Sequence, residues 1–200
     1  MKTVAKETGT RERLLQAGAQ ATAEKGFNGS GLAEILERAG VPKGSFYHYF
    51  ESKEAFGVAL IEQACAEYSE LLHPIVSDPN RTPRERLRAI FQFSRDECAA
   101  NGAACECVIT KLAMESSKLN GAVQAALKFA YQQWTAILAR VIREAQSAGE
   151  IRRDRDPDRL AELLVMLWEG ATIRMQVDRS VKPIDDFLAF AFGTLLEEKG

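Results

Sequence analysis

Three observations predict an all-α fold, with nine helices in a small N-terminal domain and a larger C-terminal one. Apolar residues recur with a helical period of about 3.6 along nearly the whole chain, and no run alternates with period two. Capping residues, prolines and glycines punctuate those runs at helix-sized intervals. Neither a glycine-rich phosphate loop nor a strand–helix alternation of the dinucleotide-binding kind is present.

The first helix is expected to start at a Thr10 cap, to carry Leu14, Leu15, Ala17, Gly18 and Ala21 inward, and to stop near Gly26. Ser30 is the expected cap of a short second helix, "GLAEILERAG", with the stripe Leu32, Ile35, Leu36 and Ala39 and a turn at Gly40. A third short helix is predicted at 43–50, and Ser52 caps a long fourth helix reaching Leu72. "HPIVSDPNRTPRE" reads as a linker that ends in a capping box at Thr82-Pro83-Arg84-Glu85. Later helices are predicted at 82–100, 106–118, 121–148, 157–179 and 184–198, the eighth opened by Asp156-Pro157 and the ninth by Pro183. The domains are expected at 1–51 and 52–200.

Composition narrows the function classes. With 200 residues, 46% hydrophobic and 27% charged, the chain has an ordinary soluble balance. No uncharged apolar run reaches the roughly 18 residues a membrane span needs, and "MKTVAKETGTRERLL" has no apolar signal core, so a cytoplasmic protein with no membrane partner is expected. Cys65, Cys98, Cys105 and Cys107 are not laid out as a disulfide framework. The net charge is −2, but residues 1–53 carry eight Lys/Arg against six Asp/Glu, a sign that suits an N-terminal contact with nucleic acid.

The second and third helices, joined by "AGVPK", have the spacing of a helix-turn-helix. Within "GVPKGSFYHYFESKEAF", Phe46 and Phe50 are four apart and are the expected core residues. Lys43 and Tyr47 fall on a different face, flanked by Gly44, Ser45 and His48, with Tyr49 either buried or in contact. Small residues at a helix start allow close approach to a duplex, while hydroxyl, imidazole and ammonium groups reach phosphates and base edges. Lys53, in the first turn of the next helix, is placed to brace a phosphate.

"FNGSGLAEILERAGVPKGSFYHYFESKEAFGVAL" resembles the DNA-binding domain of TetR-type transcriptional regulators, the likeness running from about Thr10 to Ile61. The resemblance implies a homodimeric repressor on a palindromic operator in double-stranded DNA, with helices 1–3 reading DNA and helices 5–9 sensing and dimerising. It carries DNA contact onto Ser30, Lys43, Gly44, Ser45, Tyr47, His48, Tyr49 and Lys53. Where the family carries threonines at the start of the second helix, this chain has Ser30-Gly31, one hydroxyl fewer.

In the C-terminal half, Leu160, Leu164, Leu167, Phe187, Phe190 and Leu195 lie on apolar stripes of the last two helices. Two such helices from each subunit would form a four-helix interface. "AACECVITKLAMESSKL" places Lys111 four residues after Cys107 on a predicted helix, where an ammonium favours a thiolate; a buried inert cysteine is the bland alternative. The order C-x-x-x-K-L-x-x-E, with "EGATIRMQVDRS" later, resembles the electrophile- and oxidant-sensing N-ethylmaleimide reductase repressor subgroup of the family. That likeness implies a sensor role for Cys107, with Cys105 and Lys111 beside it, but Gln176 stands where the subgroup has an assisting lysine. A non-covalent apolar inducer is the other reading, with Phe91, Phe93, Met114, Phe129, Tyr131, Trp134 and Trp168 as pocket candidates. Cys105-x-Cys107 with only His48 and His73 elsewhere is a poor ligand set, so no metal is expected. With no C-x-x-C and no paired acid and base in view, neither an enzyme nor a cofactor is expected.

Overall fold

The computed structural model describes residues 9–104, 107–115 and 121–197. Among them the helices are α1 (Thr10–Lys25), α2 (Leu32–Ala39), α3 (Lys43–Tyr49), α4 (Lys53–Val76), α5 (Pro83–Ala100), α6 (Val108–Met114), α7 (Gly121–Ser147), α8 (Pro157–Asp178) and α9 (Lys182–Phe190). A π-helical turn, Ala191–Leu195, extends α9. The described residues contain no strand, as the periodicity predicts.

Several ends follow the local chemistry read from the sequence. Thr82 caps α5 in a two-way box: Glu85 N–H donates to its hydroxyl at 3.3 Å and the Glu85 carboxylate accepts from Thr82 N–H at 2.9 Å. Ser52 accepts from Ala55 N–H at 3.1 Å, and Asp156 from Asp158 N–H at 2.9 Å. Gly40 ends α2 at φ +62°, a left-handed conformation that costs an L side chain about 1–2 kcal/mol.

Other ends differ from expectation. Thr10 is the first residue of α1 rather than its cap; Gly9 takes that place and its N–H donates to Glu12. Gly31, not Ser30, caps α2. The fourth helix continues through Pro74 to Val76, so its last turn runs without the one N–H that proline cannot donate. α6 is shorter than the predicted 106–118, with Cys107 at its N-cap and Glu115 at its C-cap, and residues 106 and 116–120 lie outside the described set.

By packing, the chain divides into two compact units. The first holds the described residues up to 66 and those from 107 to 130; the second holds 67–104 and 131–197. The expected head, 1–51, lies within the first. Its core joins Leu14, Leu15, Ile35, Phe46, Phe50, Phe56 and Leu60 with Leu112 of α6 and Val123 and Leu127 of α7. Phe46, Phe50 and Phe56 pack ring to ring at 4.9–5.3 Å. The second unit has its own core around Phe91, Leu138, Ile142, Leu164, Trp168 and Phe187.

Candidate nucleic-acid interface

α3 separates its residues as the spacing predicts. Phe46 is fully buried and Phe50 nearly so, while Lys43, Gly44, Tyr47, His48 and Tyr49 are exposed and Ser45 is half-buried. Tyr47 and Tyr49 leave 55% and 41% of their surface in solvent. A tyrosine open to this degree on a seven-residue helix is not needed for the core, and its hydroxyl remains available to a partner. The Tyr47 ring meets the buried Phe46 edge-on at 5.4 Å, and the two exposed rings of His48 and Tyr49 meet edge-on at 5.0 Å. No atom lies within 4 Å of the place a Cβ would take at Gly44, which leaves the start of α3 open to close approach.

Ser30 differs from its expected role. It is fully buried, and its hydroxyl donates to the Gly26 carbonyl at 2.6 Å, so it fastens the α1–α2 turn instead of facing a phosphate. Lys53 is half-buried; its ammonium donates to the Ser30 carbonyl at 2.6 Å and lies 4.9 Å from the centre of the Phe27 ring. Burial pushes the Lys53 pKa down, opposed by the charges of Glu115 and Glu54. One of its three donors is therefore committed within the protein.

Sequence reasoning missed Glu115 in this region. One carboxylate oxygen accepts from Phe27 N–H at 2.9 Å, and the other accepts from Asn28 N–H at 2.8 Å and from the Asn28 side-chain amide at 2.6 Å. No local signal could have revealed it, since the partners lie 88 and 87 residues apart in sequence.

Among the sensor candidates, Cys107 is half-buried at the N-cap of α6, and its carbonyl accepts from Lys111 N–H at 3.0 Å. Cys105 lies outside the described residues. Cys65, which was not singled out from sequence, is half-buried on α4 in the same unit as Cys107. Burial pushes its thiol pKa up, and charge on Cys107 or Glu62 pushes the same way. Gln176 belongs to the second unit and donates its amide to the Thr172 carbonyl at 3.3 Å.

The seven pocket candidates do not form one set. Met114 and Phe129 are exposed residues of the first unit, and the other five belong to the second. Phe91 and Trp168 are core residues, packed edge-on against Phe187 at 5.1–5.5 Å, because three large rings fill the space between α5, α8 and α9. Phe93, Tyr131 and Trp134 pack partly buried at the edge of that core. Within the described residues, no group of three or more His, Cys, Asp or Glu side chains is placed to hold a metal, and no helix is long and apolar enough to cross a membrane.

The stripes proposed for self-association also divide. Leu160, Leu164 and Phe187 are buried within the chain's own core, and Leu195 is half-buried. Leu167 and Phe190 remain exposed, joined by Met166, Ile173 and Val177, the last 73% exposed. α8 is apolar around most of its circumference, so one side fills the core and the other stays uncovered in the single chain.

Comparison with known proteins agrees with this arrangement. Residues 14–60 match the family described as bacterial regulatory proteins, tetR family, and residues 83–191 match the tetracyclin repressor-like C-terminal domain. The chain is 35% identical over 189 residues to the HTH-type transcriptional repressor DhaR of Mycobacterium sp. strain GP1, covering 94% of this chain and 93% of that one. It is 34% identical to the HTH-type transcriptional repressor NemR of Escherichia coli K12, covering 92% of each. The crystal structure of E. coli NemR in its reduced form superposes with a TM-score of 0.88 at 33% identity, over 96% of this chain and 100% of that one. A TetR regulatory protein from Rhodobacter sphaeroides superposes with a TM-score of 0.85 at 36% identity, over 91% and 96%.

Proposed function

The chain belongs to the TetR family of bacterial transcriptional regulators, and we propose that it is a repressor released from its operator by an electrophile or oxidant acting at Cys107. Regulators of this family bind DNA and act as dimers; they are not enzymes. The observation that carries the DNA-binding reading is the two-faced α3, with Phe46 and Phe50 anchored while Lys43, Tyr47, His48 and Tyr49 stand in solvent. Tyr47, His48 and Tyr49 are the proposed groove contacts, with Gly44 and Ser45 allowing the helix close; Lys43 and the remaining donors of Lys53 serve phosphates. Two heads in one dimer would meet a palindromic operator in the cytoplasm, with half-sites about one DNA turn apart.

The second copy is proposed to cover Met166, Leu167, Ile173, Val177 and Phe190. This uncovered face lies on α8 and α9, and Gly170 and Gly193 leave open space on it for close helix packing.

A half-buried thiol on a helix that packs in the same core as α1 supports the sensor reading. A similar protein has been solved in a form named reduced, which makes thiol state a property to test here. An activated alkene would react by bond formation between the Cys107 sulfur and its β-carbon, with loss of the carbon–carbon π bond and delivery of the thiol proton to the α-carbon. Hypochlorous acid would take two electrons from the sulfur, giving a sulfenic acid and chloride. Either product releases DNA only by favouring the conformation that binds operator less well.

A reversible apolar ligand is the second reading, favoured by the half-buried edge of Phe93, Tyr131 and Trp134. Cys107→Ser separates the two. Wild-type protein treated with N-ethylmaleimide is expected to leave operator DNA, and the variant is expected to stay bound. Equal release of both would remove Cys107 as the sensor.

A further inference from the structure

Glu115 stands at the C-cap of α6, its own N–H bonded back to the Leu112 carbonyl at 3.1 Å. Leu112 is fully buried in the core that includes α1, so the backbone carrying the carboxylate is fixed from beneath. From there the carboxylate accepts three hydrogen bonds from Phe27 and Asn28. Charge-assisted bonds to backbone amides are about twice as strong as neutral ones, and two parallel bonds from one carboxylate fix orientation as well as distance.

The surrounding turn is built to admit that carboxylate. Gly26 sits at φ +78°, and a Cβ there would fall 2.0 Å from the Glu115 Oε1. The Gly26 carbonyl accepts both the Ser30 N–H at 3.1 Å and the Ser30 hydroxyl at 2.6 Å. The Ser30 carbonyl in turn accepts from Lys53 at 2.6 Å. One unbroken set of bonds therefore runs from Glu115 through the α1–α2 turn to Ser30, next to the Gly31 cap of α2, and to the ammonium at the first turn of α4.

We propose that Glu115 is a positioning residue for operator binding: its carboxylate holds the α1–α2 turn, and with it the start of α2 and Lys53, in the arrangement that docks on DNA. It touches no DNA itself. Without it the head keeps its aromatic core but must order the turn when it binds, and ordering on binding lowers affinity.

The test uses the full-length chain and a duplex selected by the wild type from a random pool, with affinity read by fluorescence anisotropy well below the melting temperature. Glu115→Ala is expected to bind about tenfold more weakly than wild type. Glu115→Gln, which keeps one acceptor oxygen, is expected to fall between them. Amide exchange at Phe27 and Asn28 should quicken in the same order. Gly26→Ala places a methyl group on the carboxylate and should also weaken binding; added to Glu115→Ala it should weaken binding by less than it does alone, because its clash partner is gone. A residue that only stabilises the fold would lower the melting temperature and leave the folded protein's affinity at the wild-type value. That result, tighter binding by Glu115→Ala, or full additivity with Gly26→Ala would each overturn the proposal.

Discussion

The two units solve the same packing problem with aromatic clusters, yet α3 in the first and α8 and α9 in the second leave opposite chemistry uncovered. In the first, Phe46, Phe50 and Phe56 are sunk together and the exposed rings of α3 are Tyr47, His48 and Tyr49, each with a polar tip. In the second, Phe91, Trp168 and Phe187 are sunk together and the exposed large residues of α8 and α9 are Met166, Leu167, Ile173, Val177 and Phe190, none with a polar group. A wet polar partner with a charged backbone suits the first surface, and a dry protein surface suits the second. The buried halves look alike because cores select for shape; the exposed halves differ because partners select for chemistry.

The comparison breaks most severely if the cores are not separate. Phe46→Ala is expected to cost about 3–5 kcal/mol, as is Trp168→Ala. Phe46→Ala should abolish operator binding and leave a dimer in sedimentation, whereas Trp168→Ala should first loosen the second unit. Coincident melting of both variants by probes in each unit would mean that the units do not act as two cores.

A large effect is also expected on the dry surface. Ile173→Asp places a charge where a second copy would pack, and sedimentation at micromolar concentration should then show monomers. Operator affinity should drop about a hundredfold, since the two half-sites are no longer engaged together. A stable Ile173→Asp dimer would move the interface elsewhere. On the wet surface, Tyr47→Ala should weaken operator binding about tenfold with an unchanged melting temperature, and wild-type affinity would remove Tyr47 from the contacts.

The smallest effect concerns the polar clasp between α1 and α2. Arg38 donates to both oxygens of Glu24 at 2.7–2.8 Å and to Glu34 at 2.6 Å, and Lys25 donates to Glu34 at 2.7 Å. The Arg38 bonds hold Glu24 below its ordinary 4.5, and those of Lys25 and Arg38 do the same for Glu34. A carboxylate lowered on folding contributes stability above about pH 4.5 that is lost as pH falls below it. Arg38→Met should therefore differ slightly from wild type in urea midpoint at pH 7 and converge with it in acid. A difference that grew in acid would contradict the assignment. The exposed position of the clasp keeps the effect small.

Much of the first unit was legible locally. The i,i+4 pair of Phe46 and Phe50, the glycine turn at Gly40 and the Ser52 cap are relations within one or two helical turns, and each is found where the sequence places it. The site was legible only to the same depth. α3 could be divided into faces, but Ser30 could not be seen to turn inward, since its partner is the carbonyl of a turn that also bonds the distant Glu115. Cys65 was passed over for the same reason: its relation to Cys107 exists only once α4 and α6 share a core.

The sequence by itself determined the helices, most of their caps and the two-faced recognition helix, because hydrogen bonds and side-chain neighbours in a helix are set three to four residues apart. Only the tertiary structure decided which side of α8 is core, sending Leu160 and Leu164 inward and leaving Ile173 and Val177 out. It alone joined Glu115 to Phe27 and Asn28. A stripe that is apolar around most of a helix carries no instruction about which neighbour will cover it, and a carboxylate carries none about which amides will meet it. Both are settled by packing between segments far apart in the chain.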